Sequence, residues 1–180
     1  DTTVETSARR LARLFPGAQF IQLLRDPRDN FGALRSGVAK HYSLFDEHES
    51  HILASLLHRV GISMRLIDSN IALLGGPNFT CVRFESLVED PVATMREVAA
   101  FARTDYTPGL TRPTIMGMST AGNNYENEQF FEVTARNVGR WRERVSDFEA
   151  RVIEFHLGDV MERFDYPCVF TPDGRAEAGA

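Results

Sequence analysis

Residues 19–32, QFIQLLRDPRDNFG, set an apolar run directly against two arginines and two aspartates. Charge of that density at the end of a strand suits one kind of chemistry, the capture of an anion. In open parallel sheets ligands bind beyond the carboxyl ends of the strands, where helix N-termini aim unpaired N–H groups and a positive dipole outward. Arg25 stands at that edge. Its guanidinium can hold two oxygens of a phosphate monoester at once, and Arg28 would add a second positive charge from the first helical turn. The same residues allow a plainer arrangement in which Arg25 pairs with Asp26 or Asp29 and the motif is only a charged cap. Local sequence leaves both open.

Other residues with reactive side chains are scattered. His41, His48, His51, His58 and His156 are the histidines, and His41, just beyond the anion-site helix, is the candidate base for proton removal from an alcohol. His48, His51 and His58 sit on an acidic helix start without a fourth ligand, so a solvated face is expected and no metal. Cys81 and Cys168 form no CxxC pair and read as ordinary thiols of a reducing compartment.

The elements that must position these groups follow from pattern. Residues 18–24 form a short apolar strand of the kind buried in a parallel sheet. Asp26 caps the next helix, Pro27 is its first residue, and Asp29 sits three after the cap, where a carboxylate can reach back. Apolar residues from Ile52 to Leu74 recur at three- and four-residue spacing and predict one long or slightly broken helix over 46–74, stopped by Gly75-Gly76-Pro77. A second strand covers 78–84, and Asp90-Pro91 opens a helix with Met95, Val98 and Phe101 or Ala102 inward. Residues 104–133, rich in Gly, Pro, Asn and Thr, read as a functional cover or mobile segment, with disorder as the alternative. Ser146 to Glu149 spell a capping box for a last helix with Phe148, Val152, Phe155, Val160 and Phe164 inward. The stretch 171–180 reads as a flexible tail behind one domain over 1–170.

The 180 residues are 43% hydrophobic, enough for one ordinary core, and the net charge of −5 excludes a general nucleic-acid binder. No apolar run approaches the ~20 residues of a membrane helix, so a cytoplasmic protein without membrane or nucleic-acid partners is expected. Alternating strands and helices imply an α/β fold with a parallel sheet, yet two strands are too few for a sheet covered on both faces. Either further strands escape this pattern, or the first unit of the fold is expected before Asp1.

Three segments resemble one family in order and spacing. FIQLLRDPRD is similar to the 3′-phosphate-binding strand and helix of sulfotransferases that use 3′-phosphoadenosine 5′-phosphosulfate. CVRFESLVEDPVATMREVAAFA, residues 81–102, resembles the family's strand, aromatic-Glu-Asp turn and following helix. NVGRWRERVSDFEARVIEFHLGDVMERFDY, from residue 137, resembles the loop that closes over the nucleotide and the C-terminal helix. The resemblance implies a P-loop-like parallel sheet flanked by helices, incomplete at its N-terminus. It places Arg25 on the 3′-phosphate, Gly139 and Arg140 closing on it through backbone N–H and guanidinium, and Phe84 near the adenine. Trp141 is either a nucleotide contact or a half-buried anchor. Arg136 could add a cation, although a solvated surface charge suits it better, as it does Arg142 and Arg144.

The sequence also departs from the family. The usual Ser eight residues past the Arg is Ala33, and Ser36, roughly 4.5 Å further along a helix axis, could replace it only with a shift. The position that is commonly Tyr is Phe84, and the following Asp is Ser86. The Gly/Ser/Thr-rich loop that holds the phosphosulfate, with its Lys, is expected upstream. The implied reaction is in-line attack of an acceptor hydroxyl or amine on sulfur, with adenosine 3′,5′-bisphosphate leaving; the acceptor is a small molecule or carbohydrate shaped by residues 40–60 and 104–133. The competing readings are a degenerate nucleotide-binding module of the same fold, and a P-loop kinase dependent on Mg²⁺.

Overall fold

The computed structural model describes residues 3–41, 49–120 and 129–179. They cluster into two compact units, one of residues 7–25 and 69–138 and one of residues 1–6, 26–68 and 139–180.

The first of these is built on two parallel strands, β1 (Phe20–Leu24) and β2 (Phe79–Arg83), in register from Phe20 opposite Phe79 to Leu24 opposite Arg83. Burial alternates along β1. Gln22 and Leu24 are buried while Ile21 and Leu23 are 47% and 56% exposed, so within the described residues only one face of the strand is covered, where burial on both was expected. α1 (Thr3–Leu14) precedes β1, and Gly75 at φ +77° ends α4 (Ile67–Leu74), a left-handed position that glycine adopts without strain. Directly after β2 comes a helix the sequence did not suggest, α5 (Phe84–Glu89). Asp90 then starts α6 (Pro91–Phe101) as expected, its carboxylate accepting the Ala93 N–H at 2.9 Å. The buried side of α6 is Thr94 and Ala99 rather than the Met95 face, and the Thr94 hydroxyl donates to the Ser86 carbonyl at 3.0 Å. Residues 108–119 hold a 3-10 turn at Pro108–Thr111 and an antiparallel hairpin, β3 (Thr114–Ile115) with β4 (Met118–Ser119).

The other unit is helical: α2 (Pro27–His41), α3 (Glu49–Arg65), the short α7 (Trp141–Arg144), α8 (Asp147–Arg163) and α9 (Pro172–Gly179). Phe31, Ile52, Leu56, Met64, Ile153, Leu157 and Met161 form its core. α3 and α8 approach so closely at Gly61 that a Cβ there would lie 3.0 Å from Leu157 Cδ2. The long helix expected over 46–74 breaks at Leu66, between α3 and α4. The capping box of α8 is complete, Ser146 Oγ accepting the Glu149 N–H at 3.3 Å and Glu149 Oε2 accepting the Ser146 N–H at 2.8 Å.

Two expectations fail here for stated reasons. The inward face of α8 is Ala150, Ile153, Glu154, Leu157, Val160 and Met161, and Phe148 and Phe155 stand outside at 63% and 45% exposure. The carboxylate of Glu154 on the true face disguised it. Residues 171–180, read as a flexible tail, hold α9, which is tied to α8 by the Arg151 guanidinium on the Gly174 carbonyl at 3.0 Å.

Candidate functional site

Arg25 follows β1 directly, at the carboxyl end of the parallel pair. Neither aspartate neutralises it. Its guanidinium lies over the Phe84 ring, 4.6 Å from the centroid, and one Nη donates to the Asn137 carbonyl at 3.2 Å. Its Nε is buried without a hydrogen-bond partner. A guanidinium carries five donors and no acceptor, so one that is largely shielded from water with a single carbonyl to bond is short of oxygen atoms. An anion would supply them. Phe84, expected beside an adenine, here offers a ring face to Arg25.

Asp26 and Arg28 make a different arrangement. Arg28 is 2% exposed, its Nε and Nη2 donating to Asp26 at 3.0 and 2.7 Å and its Nη1 to Glu154 Oε1 at 2.6 Å. Its remaining face lies over the Trp141 ring at 4.2 Å. Burial alone would pull the Arg28 guanidinium below its ordinary pKa, but the hydrogen bond and charge of Asp26, then the charge of Glu154, outweigh that and hold it above. The expectation that Arg28 contributes a second cation to an anion site is therefore corrected: two carboxylates consume it. Glu154 also accepts the Val169 and Phe170 N–H groups, each at 3.1 Å, which anchors the segment leading into α9.

Asp29 reaches beyond its own helix. Its two oxygens accept the Gly139 N–H and the Trp141 N–H, each at 2.7 Å. The expected bond from the Gly139 N–H to a phosphate is thereby corrected, because that donor is already taken. Trp141 is a buried anchor at 6% exposure, with Arg142 also over its ring at 4.7 Å. Arg140 is half-buried between the two clamped residues. Ser36 does not stand in for a hydroxyl at position 33; its Oγ–H is spent on the Gly32 carbonyl at 3.0 Å, the common back-bond inside a helix. Arg136 is an exposed charge over Phe130 at 5.3 Å. His41 ends α2 with its side chain outside the described residues, as is all of His48. His51 and His58 are exposed on α3, and among the described residues no three His, Cys, Asp or Glu side chains gather where a metal could sit.

Sequence reasoning missed Asn137, the outward function of Asp29 and the burial of Glu154. Only Glu154 carried a signal, a lone charge in the three- and four-residue stripe of Ala150, Ile153, Leu157 and Met161. The stretch expected to shape an acceptor pocket does enclose a cavity of about 590 Å³ between the β3–β4 hairpin and Phe131, Glu132 and Val133, with Arg112 in its wall. That is the size of a small-molecule site. Among the described residues no helix is long and apolar enough to cross a membrane.

No curated protein sequence matches the chain significantly. Solved structures do share its α/β fold, the P-loop-like parallel sheet with flanking helices. The sulfotransferase domain from the curacin biosynthetic pathway is similar with a TM-score of 0.66 at 15% identity, over 92% of this chain and 59% of its own. The sulfotransferase domain of the Synechococcus PCC 7002 olefin synthase gives 0.61 at 18%, over 88% and 54%. A mouse sulfotransferase complexed with PAP gives 0.53 at 16%, over 89% and 62%. The chain thus spans between 54% and 62% of these relatives' lengths. Residues 3–108, more than half of the sequence, match the model of the sulfotransferase family, and the chain belongs to that family.

Proposed function

We propose that the protein is the nucleotide-binding part of a sulfotransferase that moves a sulfonate group from 3′-phosphoadenosine 5′-phosphosulfate to a hydroxyl or amine of a small-molecule or carbohydrate acceptor. The observation that carries this is Arg25, a cation at the end of a parallel strand with a buried Nε that has no acceptor and with no carboxylate partner among the described residues. Three features support the donor's fit. The site offers a forked cation suited to a phosphate monoester, a ring that fixes the guanidinium plane, and a carbonyl that occupies only one of its donors.

The donor supplies the activated sulfonate when bound. This chain's residues do the holding. Arg25 takes the 3′-phosphate and Phe84 keeps Arg25 from swinging away. Binding energy at the 3′-phosphate, remote from sulfur, would orient the reacting end, as remote contacts do in phosphoryl transfer. The acceptor would be taken up by the cavity beside the hairpin, where Arg112, Glu132 and threonine hydroxyls offer polar contacts against Phe131.

Titration calorimetry of adenosine 3′,5′-bisphosphate, with 5′-AMP as comparison and Arg25→Ala in parallel, tests the proposal. Binding that depends on the 3′-phosphate and falls by roughly tenfold or more in the variant is the expected result. Equal affinity for both nucleotides, or an unaffected variant, would remove Arg25 from the site.

A further inference from the structure

We infer that the acceptor carries a carboxylate on a hydroxylated body, and that Arg112, in the wall of the cavity beside the β3–β4 hairpin, is the residue that selects it. The inference rests on the acceptor reading above, but its evidence is separate. Every wall residue of that cavity lies between Pro91 and Val133, inside one compact unit. Arg112 and Glu132 both line it, and among the described residues neither side chain forms a hydrogen bond or an ion pair, with the other or with anything else. Opposite charges that share a small cavity without meeting leave a space between them, and a ligand filling that space can bond both.

The hairpin points to that ligand's chemistry. Met116 at φ +52° and Gly117 at φ +80° make the two-residue turn whose central positions both lie in the left-handed region, and such a turn fixes register. Thr114 is thereby set opposite Ser119, and Ile115 opposite Met118. Successive side chains of a strand point to opposite faces, so the hairpin has one polar and one apolar face. Thr114 and Ser119 line the cavity; Ile115 and Met118 do not, and stand 62% and 69% exposed. A wholly apolar acceptor would be better served by the reverse, since a slip of one residue would bring the apolar face inward. Arg112 precedes Thr114 by two positions on extended backbone, at φ −110° and ψ 130°, and so joins the polar face. The cavity side therefore presents a forked cation and two hydroxyls, with Phe131 for contact with carbon. Glu132 limits the charge of the ligand. One cation and one anion leave these walls neutral, which suits a monoanion bound at the Arg112 end with a hydroxyl donated to Glu132, and disfavours a dianion such as a phosphate monoester.

Two matched pairs of compounds test this on the full chain by calorimetry or ligand-observed NMR: glucuronate against glucose, and 3-hydroxybenzoate against 3-hydroxybenzyl alcohol. In at least one pair the carboxylate should bind about tenfold more tightly than its neutral partner, and less so as salt is raised, since Arg112 is exposed. Arg112→Gln should abolish that preference and leave adenosine 3′,5′-bisphosphate binding unchanged. Met118→Thr, on the other face of the hairpin, should leave both unchanged. No preference in either pair, or a preference that survives Arg112→Gln, overturns the inference. Competition between the carboxylates and adenosine 3′,5′-bisphosphate would put them at one site and overturn it as well. The donor reading fails separately: a chain that selects carboxylates through Arg112 but shows no preference for the 3′-phosphate keeps this carboxylate site and loses the donor role of Arg25.

Discussion

Arg25 and Arg28 lie three positions apart, at the end of β1 and in the first turn of α2, and they meet opposite surroundings. Arg28 is enclosed by Asp26, Glu154 and Trp141, and each of its three guanidinium nitrogens bonds a carboxylate. Arg25 has a ring, one carbonyl and a buried Nε with nothing to bond. The difference teaches that a motif dense in charge can be divided: one arginine ties α2 to α8, and its neighbour in sequence keeps a buried Nε without an acceptor. Asp26 accepts from Arg28, and Asp29 accepts from the 139–141 turn.

The contrast breaks most visibly if Arg28 is removed. Arg28→Ala leaves the Asp26 and Glu154 carboxylates buried without their cation, and should cost about 3–5 kcal/mol of folding stability. Urea unfolding measures it; a loss under about 1 kcal/mol would mean that the pair is far better solvated than its burial indicates. Arg25→Ala should do the reverse. Removing a guanidinium that satisfies only one carbonyl should change stability by less than about 1 kcal/mol while weakening adenosine 3′,5′-bisphosphate binding by about 1.5–3 kcal/mol. A variant that unfolds as readily as Arg28→Ala would erase the distinction between the two arginines.

Smaller effects sharpen the picture of the helical unit. Ser146→Ala removes the hydroxyl of the α8 capping box and should cost ~1 kcal/mol, read as a lower urea midpoint at an unchanged slope. The weakest effect concerns Cys168. Burial, and then the negative charge of Glu154, push its thiol up to about 11. An ordinary thiol ionises nearer ~8.5, so between those values the unfolded chain releases its proton first and stability falls as pH rises, with no effect below that window. Alkylation of Cys168 in the folded protein should therefore rise with a midpoint near 11, and a midpoint of an ordinary thiol would show that the thiol is not shielded from water as its burial indicates.

Much of the fold was legible because its signals are local. Asp26 before Pro27, Asp90 before Pro91 and Ser146 before Glu149 each start a helix where capping chemistry says one should, since a cap needs only residues within one turn. The two strands and the Gly75 stop were readable for the same reason. The inward faces were not. On α8 the aromatic stripe through Phe148 and Phe155 looked more apolar than the true one, because nothing near Glu154 in sequence announces that Arg28 neutralises it. α9 was missed because PDGRAEAG carries no apolar stripe; its place is set by contact with α8.

By itself, the sequence determined the family, the strand-to-helix units and the position of a cation at a strand end, all of which depend on residue types within a few positions of one another. Only the tertiary structure decided which arginine is enclosed by carboxylates and which keeps a buried Nε without an acceptor. Arg28 finds Glu154 across 126 positions and Asp29 finds Gly139 across 110, and a charge's partner is chosen by distance in space, where electrostatic energy and desolvation are decided, not by distance along the chain.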